Sequence, residues 1–77
     1  MVHAFIMVKT GAGSSEDVQG QIADLDGITD AHVVAGEYDV IVEATGDEVY
    51  DVLSTASKKI SAMEGVTDTK TYVSLSA

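Results

Sequence analysis

The segment Gly36-Glu37-Tyr38-Asp39 gathers the side chains of this sequence that are best suited to binding a small molecule. A carboxylate accepts hydrogen bonds from an ammonium group, and a glycine lets a ligand carboxylate approach the backbone amides closely. Glycine and aspartate are also ordinary turn residues, because glycine adopts positive φ angles and the aspartate side chain bonds to nearby backbone. Residue types alone therefore leave a ligand site and a simple turn both open.

Threonines alternate at positions 67, 69 and 71, near the end of the chain. Their hydroxyls could be offered to the same ligand as the 36–39 segment. Threonine is also a common strand former, so the same pattern is typical of plain β-structure. Both interpretations stay open, and Thr69 and Thr71 are kept as candidate ligand-binding residues.

The sequence has few residues or motifs suited to catalysis, metal binding or nucleotide binding. The chain has no cysteine, and its two histidines, His3 and His32, lie on predicted strands that are not neighbours. No spacing typical of zinc ligands accompanies them, and no Ser-His-Asp arrangement can be assembled. Gly11-Ala12-Gly13 lacks both the third glycine of a dinucleotide-binding loop and a Gly-Lys-Ser/Thr sequence. We therefore expect no enzyme active site, no metal and no cofactor.

The charge balance excludes further classes of partner. Thirteen Asp and Glu residues against four Lys and no Arg give a formal net charge of -9. Nucleic acids and anionic membranes both bind basic protein surfaces, which this acidic chain lacks, so we expect neither as a direct partner. The acidity favours adaptation to a high-salt cytoplasm, such as that of a haloarchaeon, over ordinary solubilising charge. The apolar start spans only about eight residues without a basic leader, so we expect a cytoplasmic protein.

The first half of the chain reads as strand, helix, strand. A continuous apolar run predicts a strand over 4–8, and Ser14 or Ser15 is placed to cap the helix that follows. Gly27 should end this helix, before a second strand over 31–35. The helix carries apolar residues at helical spacing: Val18, Ile22 and Leu25.

The second half repeats this plan. Gly36-Glu37 should join the second strand to a third over 38–44 as a tight hairpin. Asp47 is placed to cap a long helix that continues to Met63, and Gly65 should end it before a fourth strand over 69–75. At an offset of 38 residues, each position of 25–30 is identical or chemically close to its counterpart in 63–68. We interpret the chain as a duplicated βαβ unit.

The element order β-α-β-β-α-β predicts one domain over residues 1–77 with an α+β, ferredoxin-like fold. Right-handed crossovers place two helices on one face of a four-stranded antiparallel sheet with spatial order 4-1-3-2. A chain of 77 residues buries only roughly 60% of its unfolded surface, so its own core is thin. The other sheet face carries apolar residues that this chain does not cover. We expect the protein to dimerise through that face.

The chain resembles a known family, the effector-binding (RAM) domain of the Lrp/AsnC-type regulators of archaea and bacteria. The resemblance rests on the strand Ala4–Thr10, on the hairpin pattern Val-x-Gly-x-Tyr-Asp followed by three hydrophobic residues over 34–42, and on Gly65-Val66 before the last strand. It covers essentially all 77 residues. Most members also carry an N-terminal helix-turn-helix, for which this sequence has no room, so the resemblance is to stand-alone domains and implies no DNA binding.

The resemblance implies a function in transcription regulation, with dimers whose sheets face each other and which assemble further into rings. It also implies amino acids or similar small effectors bound between dimers. The domain could then act by co-assembling with full-length Lrp/AsnC regulators or by modulating another protein. The effector-lining positions of the family fall here on Gly36 and Asp39, with Glu37 and Tyr38 alongside. The fold and the uncovered sheet face follow from the residues, whereas these roles follow from the resemblance.

Two other classes of function compete. One is a small dimeric α+β barrel enzyme, such as a heme- or quinone-directed monooxygenase, with His3 or His32 as the candidate ligand. The absence of Trp and the single Phe argue against a roomy aromatic pocket of that kind. The other is a purely structural assembly subunit that binds no ligand and is indifferent to the loss of Asp39.

Overall fold

A computed structural model describes residues 1–76, apart from the side chain at position 57. Within this part of the chain the strands form one antiparallel sheet with spatial order β2-β3-β1-β4. Order and pairing are those of the predicted ferredoxin-like fold. The elements are β1 (Val2–Thr10), α1 (Ser15–Ala23), β2 (Ile28–Val33), β3 (Val40–Gly46), α2 (Val49–Ser54) with a π-helical continuation (Thr55–Ile60), and β4 (Val66–Val73).

The core lies between the helices and one face of the sheet. Alternate residues of β1 and β3 point to this face, because side chains of a strand alternate between its two sides. Ile6 pairs with Val42 and Val8 with Val40, and all four side chains are fully buried. Each contributes roughly 1.5–3 kcal/mol by leaving water. The helices complete the core with Val18, Ile22, Val52, Ala56 and Ile60.

The predicted duplication is confirmed by the backbone. The chain makes the same pair of backbone hydrogen bonds after each helix. In the first copy, the Leu25 N–H donates to the Ile22 carbonyl at 3.0 Å and the Ile28 N–H donates to the Leu25 carbonyl at 3.3 Å. In the second copy, 38 positions further on, the Met63 N–H donates to the Ile60 carbonyl at 3.1 Å and the Val66 N–H donates to the Met63 carbonyl at 3.2 Å. In both turns a glycine takes a positive φ, 86° at Gly27 and 96° at Gly65. Both predicted helix stops are therefore correct.

Several predicted boundaries are wrong. Strand pairing begins directly after each glycine turn, so β2 starts at Ile28 and β4 at Val66, about three residues before the predicted starts. The connection between β2 and β3 is the six-residue segment 34–39, not a two-residue hairpin turn. Its ends are closed by a hydrogen bond of 2.9 Å from Val34 N–H to the Asp39 carbonyl. Tyr38 and Asp39 therefore lie in a loop and not in a strand.

The helix starts also differ from the prediction. Ser14 is the N-cap of α1 but has helical backbone angles, and its hydroxyl makes no capping hydrogen bond in the described structure. At α2 the N-cap is Glu48 and not Asp47, and the Asp51 carboxylate accepts a hydrogen bond of 3.2 Å from the Glu48 N–H. The predicted single long helix changes to π-helical geometry from Thr55 onward.

The second face of the sheet is open. Phe5 pairs with Tyr72 on one side, and Met7 pairs with Ile41 on the other. These side chains lie on the face away from the helices, where Tyr72 is 55% exposed and the other three are half-buried. The predicted uncovered face is thus present, but its apolar residues form only a patch, because Glu43 lies opposite Phe5 and Lys70 lies opposite Met7. Separately, none of the helices described for residues 1–76 has the length and apolar character to cross a membrane.

Candidate ligand-binding site

The 34–39 loop is fastened to the end of β1 by Asp39. The Asp39 N–H donates to the Val8 carbonyl, and the Thr10 N–H donates to the Asp39 Oδ2 atom, each at 2.9 Å. Since a carboxylate offers about four acceptor positions, Asp39 can hold the loop and still accept hydrogen bonds from a ligand. The side chain therefore fixes the loop and presents a negative charge there.

Gly36 lies at the exposed tip of this loop, and its backbone does not require glycine. Among the described residues, positive φ angles occur at Gly13, Gly27 and Gly65, so the interpretation of Gly36 as a positive-φ turn residue is wrong. A Cβ atom added to Gly36 would meet no atom within 4 Å. The absence of a side chain therefore leaves the loop backbone open to close approach from outside.

Tyr38, a residue of the loop, interacts with two lysine side chains. The Lys9 ammonium lies 5.6 Å from the centre of the Tyr38 ring, within range of a cation–π interaction. The Tyr38 hydroxyl lies beside the Lys70 ammonium, and this interaction, with a further contribution from Tyr72, raises the pKa of Lys70. Lys9 is on β1 and Lys70 on β4, so the two strands and the loop meet at one aromatic ring.

The sequence alone did not single out these lysines. Lys70 pairs with Met7, and Lys9 with Asp68, which places both lysines on the open face of the sheet. Their position is a consequence of strand register, and the only signal in the sequence is their spacing relative to apolar neighbours. With Glu37 exposed in the loop, the site combines carboxylates and ammonium groups within a few residues of one another.

Thr69 and Thr71 are not brought to the loop side of the sheet. Thr69 pairs with Val8 and Thr71 with Ile6, so both threonines share the helix-covered face with these buried residues. The Thr69 and Ser61 hydroxyl oxygens are 3.1 Å apart. They border a shallow cavity of about 190 Å³ that is lined by Ser61, Val66, Thr67, Asp68 and Thr69. Tyr38 and Lys70 lie on the opposite face, so the proposed shared role with Gly36 and Asp39 gains no support.

The two histidines are apart, as predicted. β3 lies between their strands, with His3 opposite Thr45 and His32 opposite Ile41. His3 stacks on Phe5 with ring centres 5.3 Å apart, and the exposed His32 lies 3.1 Å from the Asp30 carboxylate. Within residues 1–76, no group of three or more His, Cys, Asp or Glu side chains is arranged to hold a metal ion. This geometry gives the heme-enzyme alternative no specific support.

Comparison with known proteins places the chain in a family. Residues 3–77 match the family model of the Lrp/AsnC ligand-binding domain. An uncharacterised helix-turn-helix-type transcriptional regulator of Pyrococcus furiosus is 30% identical over 74 residues, covering 92% of this chain and 49% of the regulator. The chain thus spans about half the length of that relative.

Solved structures show the same fold. A hypothetical protein of Pyrococcus horikoshii is 32% identical, with a TM-score of 0.90 over 100% of this chain and 93% of that chain. A transcriptional regulator of Neisseria meningitidis, in complex with L-Met, has a TM-score of 0.85 at 18% identity, over 97% and 50% of the two chains. The family match over nearly the whole length and the agreement in fold lead to one conclusion: the chain belongs to the Lrp/AsnC family through its ligand-binding domain.

Proposed function

We propose that this chain is a non-catalytic domain that senses an amino acid and acts in transcription regulation through protein–protein contacts. The observation that carries the proposal is Gly36, a glycine that the backbone does not require, at the tip of a loop that Asp39 fastens to the sheet. Membership of the Lrp/AsnC ligand-binding domain family supports a ligand-binding function. The Neisseria meningitidis relative, which is in complex with L-Met, supports an amino acid as the ligand.

The loop offers partners for both charged ends of an amino acid. The Asp39 carboxylate would accept hydrogen bonds from the α-ammonium group, and the backbone at Gly36 would donate to the α-carboxylate. Because the loop is already tied to β1 through Asp39, less ordering entropy is lost when the ligand binds. Glu37 and Tyr38 flank these groups.

The proposal includes a partner. We infer that two copies pack their open sheet faces together, and that rings of such dimers bring two loops to each effector. The half-buried Phe5, Met7 and Ile41 and the exposed Tyr72 are the apolar residues that such a contact would cover. Full-length relatives with a helix-turn-helix are the expected partners in regulation, and this domain itself makes no contact with nucleic acid.

The direct test is thermal unfolding in the presence of each of the twenty amino acids. A ligand at 100 times its Kd stabilises the folded state by about 2.7 kcal/mol, which for a domain of this size corresponds to a Tm increase on the order of 10 °C. Asp39→Asn keeps an oxygen that can accept from the Thr10 N–H but removes the charge. We expect it to weaken binding about tenfold or more, as for loss of a charge-assisted hydrogen bond.

The matched control is Asp47→Asn, which removes an exposed carboxylate just beyond the other end of β3. It should bind as the wild-type chain does. A wild-type protein whose Tm responds to none of the amino acids would remove the proposed function, and equal binding by Asp39→Asn would remove the role of Asp39.

A further inference from the structure

Two of the four basic side chains of this protein converge on one residue of the proposed effector loop. Lys9 lies over the Tyr38 ring at 5.6 Å, and Lys70 interacts with the Tyr38 hydroxyl. The other two, Lys58 and Lys59, lie in the last turn of the π-helical segment. In a chain with a formal net charge of -9, half of the lysines thus lie beside the loop where the ligand is proposed to bind, close to the carboxylate of Asp39.

The two lysines are held close to each other by strand pairing. Lys9 is opposite Asp68, and Lys70 follows Asp68 by two positions on the same face. Diagonal neighbours on adjacent strands are about 7–8 Å apart, so their positive charges repel. Asp68 lies opposite Lys9, whereas the residue opposite Lys70 on β1 is the uncharged Met7, so a bound carboxylate would give the Lys70 ammonium group a partner of opposite charge.

We propose that the effector carries a second carboxylate, as glutamate and aspartate do, and that Lys9 and Lys70 bind it. This inference rests on the proposed function, in which Asp39 and the Gly36 backbone take the α-ammonium and α-carboxylate groups. Tyr38 belongs to the loop and interacts with both lysines, so the acidic side chain of a ligand held by the loop would lie near both ammonium groups.

The test compares glutamate with glutamine, which differ in charge but hardly in shape. Calorimetric titration of the wild-type protein at about 0.1 M salt should show glutamate binding about fivefold more tightly or better, as expected for one or two partly exposed ion pairs. Lys70→Gln should remove most of this preference. Lys58→Gln makes the same charge change away from the loop and should keep it.

The outcomes separate this inference from the proposed function. If an amino acid binds in a way that depends on Asp39, but glutamine or an apolar amino acid binds as well as glutamate, the function stands and the acidic effector is wrong. An unchanged glutamate preference in Lys70→Gln would also overturn the assignment of the lysines. If no amino acid binds at all, both proposals fail together.

Discussion

The glycines of this chain occur at their positions for different physical reasons. Gly27 and Gly65 have positive φ angles in tight turns, where a side chain would be strained. Gly36 and Gly20 have neither a positive φ nor a neighbour within 4 Å of an added Cβ. A glycine that the fold does not need costs stability, because it adds freedom to the unfolded chain. The loop glycine is explained if a ligand approaches its backbone.

Gly36→Ala should therefore separate stability from binding. We expect it to leave the free energy of unfolding unchanged or to raise it by about 0.4–1 kcal/mol, because alanine restricts the unfolded chain without strain in the native loop. Amino-acid binding should weaken, since the new methyl group stands where the ligand approaches. Chemical denaturation and calorimetric titration measure the two effects.

The control for this prediction is Gly20→Ala, in the middle of α1. It should stabilise the protein by about 1 kcal/mol through helix propensity and leave ligand binding unaltered. If Gly36→Ala bound amino acids as tightly as the wild-type chain, close approach to the backbone would not explain this glycine.

At the scale of the elements, apolar spacing and glycine stops were sufficient to predict that two helices are present and where the turns that end them lie. The strand order followed from the element order and right-handed crossovers, and the duplication from the sequence match at an offset of 38 residues. These signals are local, or repeat at a fixed offset. The connection between β2 and β3 was not predictable in the same way. Its length depends on hydrogen bonds from Asp39 to Val8 and from Thr10 to Asp39, and these residues are distant in the sequence. The register that places Lys9 and Lys70 beside Tyr38 is equally non-local.

The second glycine turn packs directly against α1, which makes it a sensitive point of the duplicated fold. An added Cβ at Gly65 would lie 3.1 Å from the Ser14 Cβ and 3.3 Å from the Val18 Cγ2 atom. Gly65→Ala should therefore lose about 1–2 kcal/mol for the left-handed backbone, plus a further cost for the contact with buried Val18.

Gly13→Ala is the matched comparison, because Gly13 also has a positive φ, 79°, but a Cβ there would meet no atom within 4 Å. Urea denaturation of both variants should show the larger loss for Gly65→Ala. Equal losses would mean that the α1 contact adds nothing to the strain of the turn.

At the scale of the whole molecule, side chains are divided unevenly between the two faces of the sheet. Every buried core residue of the described chain is an aliphatic Ala, Val or Ile. The single Phe of the sequence, together with Met7, Ile41 and Tyr72, lies on the open face. Large apolar side chains are most stabilising where they are fully covered, so this distribution favours a partner on the open face over an isolated monomer.

The proposed dimer is tested by placing a charge at the centre of that face. In Met7→Glu a carboxylate would have to lose its water between two sheets. Lys70 lies opposite position 7, but an ion pair with it would only partly offset the desolvation of the two charges, so we expect the dimer Kd to rise more than tenfold, at a cost of at least about 1.4 kcal/mol. Tyr50→Glu adds the same charge at a 68% exposed position on α2 and should leave association unchanged. Sedimentation velocity measures the dimer Kd of both variants, and circular dichroism verifies that each variant is folded.

Salt provides an independent measurement of the same dimer. Two copies with a formal net charge of -9 each repel at any contact surface, and the repulsion is screened over about 10 Å at 0.1 M salt but only about 3 Å at 1 M. Dimerisation of the wild-type chain should therefore strengthen as salt is raised, while Met7→Glu should remain weaker than wild type at every concentration, because screening does not restore the lost apolar contact. A Met7→Glu variant that dimerises like the wild-type protein at both concentrations would show that the open face is not the interface.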